Sequence, residues 1–258
     1  MKKVIFILLS ICFIAFNAES QQRRALNLTR YDITPIHFGM SLALNTMDFT
    51  IHNSGKFLTS IDSIYAIENK KTVGFNINIV TNYNFTRFFS IRFLPGLNFG
   101  ERDLEYWVRN GGVLSKHIMK IESTFLDFPV LLQYKSVRVN NFRPYVIAGG
   151  CYKYDLAAQK KIRQEDMPKI KLQKKGYYYE IGFGTDFFNE FFKFAMELKY
   201  TVGINNIIVP DNTQYTAAIE KMTSRMVTLS FLFEGSDLRY FFGRDTRKLV
   251  SKRNRRAF

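Results

Sequence analysis

The side chains with chemistry to offer are few: three histidines, two cysteines and a set of charges placed at alternate positions of a 258-residue chain. In His52-Asn53-Ser54 an imidazole and a hydroxyl fall on one side of an extended backbone, the arrangement in which His acts as general base toward a nucleophile. No carboxylate accompanies the pair to orient the ring, so chance placement in a polar loop is the better account. His37 and His117 lack Cys, His or carboxylate partners at metal-ligand spacing and are expected at the surface. Cys12 lies inside an apolar leader and leaves Cys151 alone, which excludes a disulfide scaffold. Glycine-rich phosphate loops are absent, and neither a cofactor nor a metal is expected.

The charges are more informative. Arg92, Glu180, Asp186, Lys193, Glu197 and Lys199 share their parity with Gly, Asn and Ser, while the opposite parity of the same segments is apolar. A two-residue period with one apolar face marks a β-strand. Ile36, Phe38, Met40, Leu42 and Leu44 start the series, followed by Val73 to Ile79, then Phe89, Ile91, Phe93, Leu97 and Phe99. A hairpin pairs Leu126, Phe128, Val130, Leu132 and Tyr134 with a strand beginning at Arg143, whose expected outward set is Val146, Ala148, Tyr152, Tyr154 and Leu156. Pro129 cannot donate to a ladder, so a bulge or distortion is expected there. Tyr177 to Phe187, Phe192 to Val202 and Val227 to Phe233 complete eight strands.

Residues 1–20 read as an export signal: Lys2 and Lys3, an apolar run from Val4 to Phe16, and the small-x-small site Ala18-Glu19-Ser20. Of the net charge of +15, the leader contributes +1 and residues 239–258 contribute +7, which leaves +7 for the body. That is an ordinary basic surface, and nucleic acid is not expected as a partner. No segment is apolar for the ~18 residues a helical span requires. Yet 26 Phe and 14 Tyr demand a β-structure with much apolar surface.

Connections alternate long and short, with the long ones at 52–71, around Trp107 and Gly111-Gly112, at 160–175 and at 205–221. Outer-membrane barrels pair long external loops with short periplasmic turns in this way. A soluble sandwich would bury the apolar face and expose the charges; a bilayer outside and a polar lumen inside reverse that assignment. Only a closed barrel then satisfies every backbone group. The expected fold is all-β: an eight-stranded antiparallel transmembrane barrel of up-and-down topology over 35–235. It is preceded by a periplasmic lead-in (21–34) and followed by a basic periplasmic tail (236–258). Both termini face the periplasm because the strand number is even. Eight strands enclose a lumen filled by side chains, so Arg92, Lys193 and Lys199 are expected to pair with Glu180, Asp186 and Glu197. Lys160, Lys161, Arg163, Lys169, Lys171, Lys174 and Lys175 lie on an external loop, as candidate contacts for lipopolysaccharide phosphates or as a solvated face. In the tail, Arg244, Arg247, Lys248, Lys252, Arg253, Arg255 and Arg256 are candidate contacts for an acidic periplasmic partner, with a solubilising tail as the alternative. Trp107 and the aromatics at strand ends suit a membrane interface.

Asp127-x-Pro129 with Leu131-Leu132-Gln133-Tyr134-Lys135, Arg143-Pro144-Tyr145-Val146 with Gly149-Gly150, and Glu197-Leu198-Lys199-Tyr200 with Gly203 resemble the small outer-membrane β-barrel family of bacteria with type IX secretion. Members more often carry Glu where Asp127 stands. Within that family, Leu94-Pro95-Gly96-Leu97-Asn98-Phe99 and the basic tail are similar to the PorT type. The resemblance implies an outer-membrane component required for type IX export of proteases, adhesins and gliding proteins, associated with other secretion components. It carries over no catalytic residue. Two other readings follow from the barrel itself: a structural or adhesive protein, and an enzyme acting on lipid A through His52 and Ser54, a pair that some small outer-membrane barrels use for deacylation.

Overall fold

The computed structural model describes residues 25–29, 31–53, 64–110, 113–157, 170–209 and 219–235. Alternating sequence becomes alternating burial. The strands are β1 (Ile36–Asn53), β2 (Ile64–Asn84), β3 (Phe89–Phe93), β4 (Gly96–Asn110), β5 (Val113–Lys135), β6 (Phe142–Asp155), β7 (Lys175–Phe188), β8 (Lys193–Gly203) and β9 (Ile219–Gly235). Sequence neighbours pair antiparallel, except that β3 and β4 each pair with β2 and β5 rather than with one another, and β1 also pairs with β9, so the sheet closes.

Nine strands make eight staves. Thr81 faces Phe93 and Asn78 faces Gly96, so β3 and β4 keep one register along β2. They also keep one register along β5, through Phe93↔Val130 and Gly96↔Asp127. The break at Leu94-Pro95 lies across from Pro129, where two prolines meet and neither can donate a ladder hydrogen bond. The bulge expected at Pro129 is not there: the pairing with β6 runs unshifted through Pro129↔Cys151, and the neighbouring stave is interrupted instead. The tight turn before β6 puts Asn140 at φ 52°, a left-handed conformation that Asn tolerates.

Outward residues are apolar and exposed on every stave: Leu42 at 44%, Ile79 at 63%, Val130 at 52% and Ile181 at 56%. Val146, Ala148 and Leu156 of the second hairpin strand are exposed too, with Tyr152 and Tyr154 half-buried. Rings flank this band. Phe85, Phe89, Tyr134, Phe142, Phe187 and Phe192 ring the end with short turns, while Tyr152, Tyr177, Tyr179 and Tyr200 lie toward the other end.

At 21 and 23 residues, β2 and β5 are about twice the ~9–11 that a spanning strand needs. The connection expected around Trp107 and Gly111-Gly112 is therefore mostly strand: β4 and β5 stay paired out to Asn110↔Val113, two glycines apart in sequence. In this outer portion the face polarity inverts. Leu104, Tyr106, Val108 and Met119 point inward and are buried, while Glu105, Lys116 and Lys120 point outward. The stretch looks polar in sequence because its outer face meets water rather than lipid. No helix among the described residues is long and apolar enough to cross a membrane.

Candidate functional site

Inward parity brings the charges of six staves together. Arg92 of β3 donates through Nη1 to Glu197 of β8 at 2.7 Å and approaches Glu234 of β9 at 3.4 Å. Lys193 joins Glu234 (2.8 Å) to Asp186 (3.2 Å), and Arg143 of β6 donates to Asp186 at 3.0 Å. A second group lies further along the lumen: Lys199 meets Glu180 at 3.0 Å, and Lys153 bridges Glu180 at 3.8 Å and Asp127. Tyr145 adds a hydroxyl to Glu197 at 2.9 Å, and its ring lies against Gly184, where a Cβ would come within 2.6 Å. All six charges singled out in the sequence are thus in the lumen, and each cation among them meets a carboxylate. Asp127, Arg143, Lys153 and Glu234 belong to the same network. For Arg143 and Lys153 the signal was present, since the outward set assigned to β6 leaves both facing inward.

Every charge in this network is nearly or wholly buried, and charges so placed persist only when paired and hydrogen-bonded. Ser90, Gln133 and Thr201 complete it with neutral hydrogen bonds. Beside it, Val80, Leu94, Leu131, Ile147, Ala195 and Leu232 pack as an apolar cluster inside the barrel. The interior is a packed core containing ion pairs.

The lead-in closes the end with short turns. Tyr31 is 1% exposed, stacks on His37 with ring centroids 3.7 Å apart, and donates its hydroxyl to Glu234 at 2.6 Å. Burial, with Glu234 and Asp186 nearby, pushes this hydroxyl well above the usual tyrosine range, so it stays a donor. Asp32 accepts from Arg143 at 2.7 Å, and Arg138 lies over Phe188 at 3.8 Å while donating to the Asn27 carbonyl at 2.5 Å. His37, expected at the surface, is instead fully buried, because Tyr31 covers its ring and the Thr34 carbonyl lies 3.0 Å from Nε2. No periodic pattern in the lead-in marked Tyr31 as a plug.

The opposite end is filled by apolar side chains. Ile170, Leu172, Ile207 and Ile208 come from the two loops, Leu172 bridging Ile208, and pack on Phe49, Leu104, Tyr106, Met119, Ile219 and Met222. Below them Arg102 lies 4.1 Å from the Phe49 ring and donates to Ser224 at 2.9 Å.

Of the loop cations, Lys175 is exposed, and Lys171 and Lys174 are half-buried. Lys160, Lys161, Arg163 and Lys169 lie outside the described residues, as do the leader, Ser54 and the tail with Arg244, Arg247, Lys248, Lys252, Arg253, Arg255 and Arg256. His52 and His117 are exposed, and Trp107 is half-buried beside the Lys116 ammonium at 5.5 Å. Among the described residues, no three His, Cys, Asp or Glu converge as metal ligands.

Residues 19–209, well over half of the chain, match the family described as outer membrane protein beta-barrel domain. No curated protein matches. Among solved structures, the outer membrane protein OprG from Pseudomonas aeruginosa is similar at 15% identity, covering 78% of this chain and 95% of its own, with a TM-score of 0.49. Neisserial surface protein A is similar at 8% identity, covering 78% and 97%, with a TM-score of 0.41. Ail, the attachment invasion locus protein of Yersinia pestis, gives 10% identity, 78% and 99%, and a TM-score of 0.33. The chain belongs to the outer membrane protein β-barrel domain family, and its setting is the bacterial outer membrane.

Proposed function

We propose that this barrel supports type IX protein secretion by association with other components of the machinery, and not as a conduit or an enzyme. What carries the reading is the interior, with a paired-charge core between the Tyr31 plug and the apolar mouth. A folded or unfolded passenger needs a lumen that such a core does not offer. The assignment to type IX secretion rests on the motif resemblance around Asp127-x-Pro129, Arg143-Pro144-Tyr145 and Glu197-Leu198-Lys199. In this reading both termini face the periplasm, and the basic tail (Arg244, Arg247, Lys248, Lys252, Arg253, Arg255, Arg256) meets an acidic partner there. The loop end faces outward, where the loop cations from Lys160 to Lys175 lie beside lipopolysaccharide. Deleting the gene should leave type IX substrate precursors inside the cell; normal export from the deletion strain refutes the role.

The projecting β4–β5 ribbon supports a second reading, an adhesive barrel. Val113, Leu114 and Ile118 are exposed at 70%, 47% and 55% beyond the apolar band. Under that reading deletion weakens surface attachment while export continues.

A further inference from the structure

One polar cluster stands on the outside of the wall. Asp48, Lys71 and Arg225 have outward parity on β1, β2 and β9, yet Asp48 is only 6% exposed because the others cover it. Arg225 donates to Asp48 Oδ2 through Nε at 2.8 Å and lies at 2.7 Å through Nη2. Lys71 Nζ stands 3.5 Å from the same oxygen, and Asn69 donates to Oδ1. Asp48, Lys71, Arg225 and Tyr200, together with Thr46, Met226 and Val227, line a cleft of about 180 Å³.

The position of this cleft gives it meaning. Toward the short-turn end the wall turns apolar, with Val73 and Val227 beside Thr46 and Leu44 one outward position beyond, exposed at 68%, 43% and 53% respectively. On the other side the wall has already inverted, with Phe49 and Met222 buried inside. The cleft therefore sits at the boundary between hydrocarbon and headgroups. One carboxylate, engaged by both cations and by Asn69, holds them in place and leaves the cluster at +1. Lys71 and Arg225 remain 62% and 41% exposed, with three and five N–H donors respectively, more than Asp48 engages. A phosphate with its acyl chains along Leu44 and Val227 matches both the charge and the amphipathic setting, and an Arg–Lys pair suits a phosphate monoester.

We infer that this cleft binds a phosphate of lipid A in the leaflet at the loop end. The inference rests on the outward orientation given under the proposed function. The test uses the full-length protein in phosphatidylcholine nanodiscs, with bound lipid counted by native mass spectrometry. Because nanodiscs expose both leaflets, binding there is independent of orientation in the cell, which is read separately by impermeant maleimide labelling of Ser115→Cys in whole cells. Bisphosphorylated lipid A should be retained. Lys71→Glu, and the charge-matched double variant Asp48→Asn with Arg225→Gln, should each weaken retention about tenfold, the equivalent of one charge-assisted hydrogen bond. Arg87→Ala at the opposite end should not. Equal retention of dephosphorylated lipid A, or unchanged retention in both cleft variants, overturns the inference. So does retention of phosphatidylglycerol as strong as that of lipid A, or full competition by millimolar inorganic phosphate.

Discussion

Arg92 shows why the lumen charges are structural. It is fully buried, within reach of Glu197 at 2.7 Å, Gln133 at 3.2 Å and Glu234 at 3.4 Å. Removing one member of a buried ionic network leaves its partners charged and undercompensated, at a cost of about 3–5 kcal/mol. Arg92→Met should therefore lower unfolding stability in detergent by that amount, read from denaturant titration of the heat-modifiable band. Lys120→Ala, which removes an exposed 3.5 Å pair with Glu101, should stay within about 1 kcal/mol. The six charges of this network that stood out in the sequence did so because each stands on the parity opposite an almost purely apolar face. Asp127 was hidden by its neighbours, since Phe125, Pro129 and Leu131 on the same face made that parity look mixed. Those three point inward as well, into a lumen that holds apolar clusters beside its ion pairs.

Among the elements, the lead-in and the β4–β5 ribbon were the least legible, for opposite reasons. The lead-in docks through single contacts: Tyr31 to Glu234, Asn27 to Asn141 and Phe188, Asp32 to Arg143. Single contacts leave no period. The ribbon has a period, but Leu104, Tyr106 and Val108 alternate with Asp103, Glu105 and Trp107 in the polarity of a soluble sheet. That polarity is opposite to the one that identified the strands in the membrane. For the lead-in, Tyr31→Phe should cost about 1.5–3 kcal/mol, the range for a hydrogen bond to a charged group. The burial that raises the Tyr31 pKa means the folded state holds this proton above the usual value of 10.0. Docking is therefore complete below that pH and weakens as pH rises past it. Tyrosinate absorbance of wild type and Tyr31→Phe should coincide through the titration of exposed tyrosines; a wild-type excess ionising near the usual value contradicts the buried hydroxyl.

For the whole molecule, one rule accounts for the sequence pattern: the medium outside a stave decides which of its faces is apolar. Where lipid surrounds the wall, Ile79, Val130 and Ile181 point out and Arg92, Asp127 and Glu180 point in. Beyond the lipid, Lys116 and Lys120 point out and Tyr106 and Met119 point in. Closure of the sheet was legible from the even strand number and the apolar outer parity, because an open edge in hydrocarbon would leave backbone groups unsatisfied. How far the strands continue past the membrane was not, since the inverted polarity there resembles a charged loop. Ile118 and Ile79 have similar exposure, 55% and 63%, yet the rule places them in different solvents. The most direct measurement is the accessibility of nitroxide labels at Ile79, Val130, Ile181 and Ile118, in a Cys151→Ser background reconstituted into bilayers. The first three should relax faster with membrane-partitioned oxygen than with a water-soluble nickel chelate, and Ile118 should do the reverse. A preference for the aqueous reagent at Ile79, Val130 and Ile181 would show that water, not hydrocarbon, covers the apolar wall, and would contradict the account.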